Sequence, residues 1–342
     1  MTEELRTPLR LGAVVAFDRG SLTLFECLRS LGEQEGPPFD SILAVPVGEV
    51  APRPEHLPAQ ILLLEGNFPT LGAALNAGLE KLEVDLCCLI SQDCLVSTGF
   101  TRDLLALPPL NDDTVATCSI SPHFADDLPS LLWFEDIFAD QRLGTADLPR
   151  LSTELLLAEP RTLQRCGALD PLLSERSALA TEFSLRARQR GLSLRRLSTV
   201  RVTWKRHLDR AALLAAHRSA GQAIALLALR SPSLFLLGGG WFSPPFLRFL
   251  GTSGLLLALL LLPWSLAPLG WALLAMSFVA LSLLPQAARL ARHLPGTTGQ
   301  ALRLLLTSTL HNALGRWLGF GTYSLGLAKA RWKSAISGHP GT

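Results

Sequence analysis

Apolar and polar positions along the first 210 residues follow a rhythm of short buried strands and amphipathic helices. Residues 11–17 form an apolar run closed by Asp18-Arg19-Gly20, the pattern of a buried strand ending in a polar loop. Leu22, Leu24, Phe25, Leu28 and Leu31 then recur at helical spacing until Gly32. Residues 41–45, ended by Pro46, and 60–64, ended by Glu65-Gly66-Asn67, predict a second and a third strand. Residues 70–82 predict a helix and residues 86–90 a fourth strand that runs into Ser91-Gln92-Asp93. This βαβ alternation predicts an α/β domain, a mostly parallel sheet with flanking helices, whose ligand site lies at the carboxyl ends of the strands.

Residues 111–150 are less regular. They hold one predicted strand, 115–120, and a loop rich in Asp and Pro around 122–129 that suits a substrate-binding insertion. A strand over 153–158, a short helix or turn over 162–167, a strongly basic helix over 181–190 closed by Gly191, and a strand over 195–204 complete the region. The linker begins at Lys205-Arg206-His207.

The pattern changes after residue 222. Residues 246–262 carry one charge, Arg248, and residues 269–284 carry none, with Pro263 and Pro268 between them. Each stretch is long enough for a helix that crosses a bilayer, so the pair predicts a transmembrane hairpin. Its turn is uncharged, while Arg230, Arg248, Arg289, Arg292 and Arg303 flank it, which predicts a multi-pass cell-membrane protein with both flanks and the N-terminal domain cytoplasmic. Residues 300–327 are more amphipathic and read as an interfacial helix or a third crossing, with Gly315 and Gly319 at a spacing that permits close helix packing. The expected organisation is a domain over 1–210, a linker or juxtamembrane helix over 211–245, the hairpin over 246–284, and an amphipathic or third membrane helix with a basic tail over 285–342.

Composition narrows the function classes. A mean hydropathy of +0.30 is too apolar for an ordinary soluble protein, and the excess lies in the C-terminal part. A net charge of +2 gives no reason to expect nucleic acid as partner. Six cysteines without C-x-x-C spacing or a nearby histidine pair indicate neither zinc nor a disulfide framework and fit a reducing compartment. The polar stretch 1–10 has no apolar core of signal-peptide length, so the domain is not expected to be exported. No G-x-S-x-G follows a strand, Gly238-Gly239-Gly240 lacks the lysine of a phosphate loop, and the first strand turn lacks G-x-G-x-x-G, which disfavours serine hydrolase, P-loop and Rossmann dehydrogenase chemistry. Two or three helices without internal acids offer no midplane site for a transporter. His123 with Asp126-Asp127 reads as ordinary surface.

One resemblance joins these pieces. Cys27-Leu28-Arg29-Ser30-Leu31 in the first helix, Asn67 before a helix with Ala74, Asn76 and Gly78, the apolar strand into Asp93, Gly167-Ala168-Leu169-Asp170, and Leu185-Arg186-Ala187-Arg188-Gln189-Arg190-Gly191 stand in an order and spacing that resembles the family 2 glycosyltransferases of the GT-A fold over residues 11–207. The resemblance implies an inverting transfer of a sugar from a nucleotide-sugar donor to a lipid-linked or cell-envelope glycan acceptor at the cytoplasmic face. It implies Mg²⁺ or Mn²⁺ held by Asp93, and donor contacts from Asp18, Arg19, Asn67 and Asn76. Arg206, His207 and Arg218 would face donor or lipid phosphate. The family's base precedes the Leu-x-x-Arg helix; its pair falls here on Leu179-Ala180, so Glu182 is the nearest carboxylate, with Glu175 in reserve. The chain departs from the pattern in two further places, with Ser91 for the first acid of Asp-x-Asp and Val45-Pro46 for the strand-end aspartates. These departures define the alternative, a non-catalytic scaffold beside a partner transferase. The local alternatives are a turn cap for Asp93, a helix-dipole charge for Glu182, and a solvated loop or linker for Asp18, Arg19 and the basic residues.

Overall fold

The computed structural model describes residues 9–18, 23–48, 60–138, 147–232 and 298–337, with a few positions between 251 and 292. The chain divides into two units, Met1–Phe124 with Phe134–His207, and Ala125–Trp133 with Leu208–Thr342.

The first unit is built on an eight-stranded sheet of order β3-β2-β1-β4-β7-β6-β8-β5. Its strands are β1 Leu11–Phe17, β2 Ser41–Pro46, β3 Ile61–Leu63, β4 Leu86–Ser91, β5 Cys94–Val96, β6 Thr114–Pro122, β7 Leu155–Ala158 and β8 Ser193–Trp204. Helices α1 Leu24–Gly32, α2 Leu71–Lys81, α3 Phe100–Leu105, α4 Leu128–Ile137, α5 Pro160–Cys166 and α6 Arg176–Gln189 connect them. Strand β1 pairs in parallel with both β2 and β4 and is buried at every position, which is why its sequence reads as a continuous apolar run. Strand β7 runs antiparallel to β4 and β6, β6 and β8 are parallel, and β5 is antiparallel to β8. The carboxyl ends of β1, β2, β3, β4, β6 and β8 therefore meet at one edge, together with the amino end of β7.

The expected mostly parallel sheet with flanking helices is present, and most predicted elements fall within a residue or two of their observed bounds. Four differences matter. Helix α4 starts at the end of the Asp/Pro-rich segment expected as a loop and occupies residues 128–137, the short strand β5 and helix α3 follow Asp93, and α6 begins at Arg176 rather than near Thr181. Glu175 is the N-cap that starts α6 early, with Oε2 accepting from the Ala178 amide at 2.7 Å and the Ser177 hydroxyl at 2.6 Å.

The second unit contains α7 Arg210–Arg230 and α8 Thr298–Ser337. Asp209 caps α7 by accepting from the Ala212 amide at 2.7 Å. Leu208 donates its amide to Ser130 Oγ at 2.8 Å, and the Trp133 and His217 rings meet edge-on at 4.9 Å. Among the described residues α7 is the one helix long and apolar enough to cross a membrane, with mean hydropathy 1.3 over its best window. The expected hairpin over 246–284 lies almost entirely outside the described residues.

The Gly315 and Gly319 pair has a clear packing role. A Cβ at Gly315 would lie 2.0 Å from the Arg218 carbonyl oxygen, one at Gly319 2.7 Å from that of Gln222, and one at Gly221 2.1 Å from that of Asn312. Only glycine lets α7 and α8 backbones approach this closely. Gly315→Ala is expected to destabilise the chain by about 1–3 kcal/mol through overpacking. Gly321→Ala, where an added Cβ meets nothing within 4 Å, is expected to stabilise α8 by up to about 1 kcal/mol. Thermal unfolding of both variants in detergent checks the contrast.

Candidate donor-binding site at the carboxyl edge of the sheet

Asp93 sits in the tight turn between β4 and β5. The turn is held from three sides: Ser91 donates its amide to the Glu154 carbonyl at 2.8 Å, the Asp93 amide donates to Ser91 Oγ at 3.3 Å, and Lys205 donates its amide to the Asp93 carbonyl at 2.7 Å. Cys94 pairs with Trp204, so the end of β8 is stitched to the turn and delivers Lys205-Arg206-His207 beside it. Ser91 thus serves as a turn-forming hydroxyl.

The Asp93 carboxylate is nearly buried, at 7% exposure. Oδ1 accepts from the Thr23 hydroxyl at 2.8 Å, and Oδ2 lies 4.0 Å from Arg206 Nε. Burial, then the charge of Glu154, raises its pKa above the ordinary carboxylate value, while Arg206, Arg176 and the Thr23 hydrogen bond oppose the rise. Arg176 also donates to the Ala16 carbonyl at 3.3 Å, which holds it at the end of β1. Lys205 Nζ is bound to Glu26 on α1 at 2.6 Å, at the rim of a cavity of about 260 Å³ lined also by Arg29, Ser30, Glu33 and Leu95.

Asp18 is brought to the same edge. Gln92 Nε2 donates to Asp18 Oδ1 at 2.6 Å and the Asp18 amide donates to Gln92 Oε1 at 2.9 Å, so the middle residue of Ser91-Gln92-Asp93 fastens the end of β1 to the turn. Arg19 lies outside the described residues. Asn67 is exposed in the loop after β3.

The other expected site residues hold the scaffold together. Asn76 exchanges hydrogen bonds with the backbone of Leu169, donating to its carbonyl at 2.7 Å and accepting from its amide at 2.9 Å, and so ties α2 to the Gly167–Asp170 turn. Glu182 is gripped by Arg186 on the next turn of α6, Nε to Oε1 at 2.6 Å and Nη2 to Oε2 at 2.9 Å. A carboxylate with both oxygens paired in this way holds a guanidinium, and would have to release it to take an acceptor proton. Glu175, the reserve, is spent on the α6 N-cap. His207 packs its ring edge-on against Phe124 at 5.3 Å. Arg218 is exposed on α7, in the second unit.

Glu154, Arg176, Thr23 and Gln92 are members of the arrangement that sequence reading passed over. Glu154 left a signal: it is a lone acid at the head of the apolar run Leu155–Ala158. It is 1% exposed, and its Oε2 is buried without a hydrogen-bond partner.

Among the described residues no group of three or more His, Cys, Asp or Glu forms a ready cation cage. The oxygen donors at this edge, the Asp93 carboxylate and the unmet Oε2 of Glu154, whose backbone pairs with Ser91, are of the kind that suits a hard divalent cation drawing its remaining ligands from phosphate and water. All six cysteines are buried and unpaired, and burial raises their thiols, Cys87 to about 12, so none is poised as a ligand or nucleophile.

No family model and no curated protein matches the chain. Solved structures similar to it include GalNAc-T7 with UDP, GalNAc and Mn²⁺, at 15% identity and a TM-score of 0.47, covering 65% of this chain and 48% of that one. The mannosyltransferase PcManGT from Pyrobaculum calidifontis in complex with GDP-Man and Mn²⁺ is similar at 17% identity and a TM-score of 0.49, over 90% and 88% of the two chains. Residues 1–349 of S. aureus TarS are similar at 14% identity and a TM-score of 0.46, over 93% and 92%. The chain thus spans about half the length of GalNAc-T7.

Proposed function

We propose that the chain is a membrane-associated glycosyltransferase that binds a nucleotide-sugar donor at the carboxyl edge of its sheet and transfers the sugar, with inversion, to a lipid-linked or cell-envelope glycan at the cytoplasmic face. The observation that carries this reading is the buried Asp93 carboxylate, held by Thr23 and flanked by Arg206 and Arg176 where the parallel strands end. A bound Mg²⁺ or Mn²⁺ would neutralise the charge that develops on the leaving diphosphate. Arg206 and Arg176 supply fixed positive charge to the same groups, and the Asp18–Gln92 pair fastens the end of β1 to the Asp93 turn. Membrane association is supported by α8, where Leu302, Leu306, Leu310, Leu314 and Leu318 recur every fourth residue and are each 42–49% exposed, a stripe fit for lipid with Arg303 beside it.

A second reading has its own observation. Both carboxylates expected to act as base are committed to structure, Glu182 to Arg186 and Glu175 to the α6 N-cap. This favours a donor-binding scaffold beside a partner transferase. Purified chain in lipid, offered a broad nucleotide-sugar panel, separates the two: transfer or donor hydrolysis is expected for the enzyme, whereas donor binding without turnover identifies the scaffold. Absence of any nucleotide-sugar affinity overturns both.

A further inference from the structure

We propose that Glu154 supplies the second carboxylate of a divalent-cation site begun by Asp93, in place of the acid that Ser91 does not provide. The inference rests on the donor-binding reading for its purpose but not for its geometry. Strand β7 pairs antiparallel with β4 so that Ile90 faces Leu155, which sets Glu154 against Ser91 at the strand end that carries the Asp93 turn. Its carbonyl accepts from the Ser91 amide at 2.8 Å and from the Cys94 thiol at 3.5 Å, fixing the backbone on both sides of Asp93. Ser91 and Cys94 flank Asp93 on either side of the turn, so the residue tied to both by its carbonyl lies across the strand pair from the Asp93 turn, with its own Oε2 buried and unmet.

The arrangement is incomplete as it stands. A buried carboxylate oxygen with no donor costs free energy, and a second carboxylate close by adds repulsion. A proton or a cation relieves both costs. Two features favour the cation. The donors are oxygens alone, the set that Mg²⁺ and Mn²⁺ prefer. A divalent ion also adds positive charge beside Arg206, which lies 4.0 Å from the Asp93 carboxylate, and so strengthens the pull on an arriving diphosphate where a proton would not.

The test uses the full chain in detergent with Mn²⁺ alone as probe, its binding read from the loss of the free-ion electron paramagnetic resonance signal. One tight site is expected in the native protein. Glu154→Gln is expected to weaken it by at least the roughly 10-fold that loss of even an outer-shell partner produces. Without metal, Glu154→Gln is expected to melt higher than the native protein, because an unmet buried charge has gone, and its unfolding temperature should no longer rise with Mn²⁺. Glu154→Asp keeps the charge but draws it back by one methylene, and is expected to weaken Mn²⁺ while retaining the fold. Ser91→Asp in the Glu154→Gln background is expected to restore part of the affinity. Mn²⁺ affinity unchanged in both Glu154 variants, or no Mn²⁺ site in the native protein, overturns the proposal. UDP and GDP binding is measured in parallel with EDTA. Nucleotide bound equally well in EDTA, together with no Mn²⁺ site, overturns the proposal and assigns the phosphate charge to the arginines, leaving the transferase reading in place. Mn²⁺ bound without affinity for any nucleotide or nucleotide sugar sustains the cation site and removes the donor reading.

Discussion

Asp93→Asn is expected to lower sugar transfer by roughly a hundredfold or more, the scale on which a single group that stabilises transition-state charge acts. It is expected at the same time to raise the unfolding temperature at neutral pH. The two effects share one cause. Asp93 is nearly buried, and its folded-state pKa lies above the unfolded value, so ionising it costs the native state free energy. That cost is absent below the unfolded pKa, about 3.9, and grows as pH rises through the raised folded value. Asparagine removes the charge, keeps an acceptor for Thr23 and escapes the cost. Stabilisation by Asp93→Asn should therefore be present at pH 7 and vanish toward pH 4. Donor affinity of the native chain should weaken on acidification at a higher pH than an ordinary exposed carboxylate would produce. Calorimetry with nucleotide sugar and a melting series across pH read both. A variant that transfers normally, or that melts lower at pH 7 than at pH 4 relative to the native chain, contradicts the assignment.

What the sequence disclosed and what it hid follow from whether a residue's partner is local. Strands β1, β2 and β4 were legible because strands buried on both faces must be apolar throughout, and α1 and α2 because each buries one face against them. Helix α4, Leu-Pro-Ser-Leu-Leu-Trp-Phe-Glu-Asp-Ile, has no polar face to betray its period, and Pro129 reads as a loop signal although it lies in the first helical turn, where it removes no needed donor. Strand β5 is three residues long and exists only because Trp204 and Val202, more than a hundred positions away, pair with it. Asp93 could be found by its place after a strand. Glu154 shows in the sequence only as a lone acid before an apolar run; its place beside the Asp93 turn is created by the β4–β7 register. Gln92 and Asp18 meet for the same reason, through the ends of two parallel neighbours. The Glu182 pairing, by contrast, is local: its partner stands four residues on, a spacing that a helix alone brings together.

That pairing yields the largest expected effect on stability. Arg186 carries Glu182 on two nitrogens and also donates to the carbonyls of Cys166, of Gly167 at 2.9 Å and of Ala168 at 2.9 Å. Gly167 closes α5 with φ of 83°, so the guanidinium caps the negative end of α5 while its own helix supplies the balancing carboxylate. The two side chains are 17% and 10% exposed, shielded enough for the pair to act as a buried one. Arg186→Ala strands a buried carboxylate and frees three carbonyls, and is expected to cost about 3–5 kcal/mol. Arg186→Lys keeps the charge but not the planar fork, and should fall between the two. Glu182→Gln leaves the arginine anchored on the carbonyls, and is expected to cost about 1–3 kcal/mol with turnover per folded molecule unchanged. Denaturant unfolding and single-turnover rates on the same samples decide the role. If Glu182→Gln melts like the native chain but transfers a hundredfold more slowly, the carboxylate is a base after all and the tie to Arg186 must open during catalysis; if stability falls and turnover holds, the pair belongs to the scaffold.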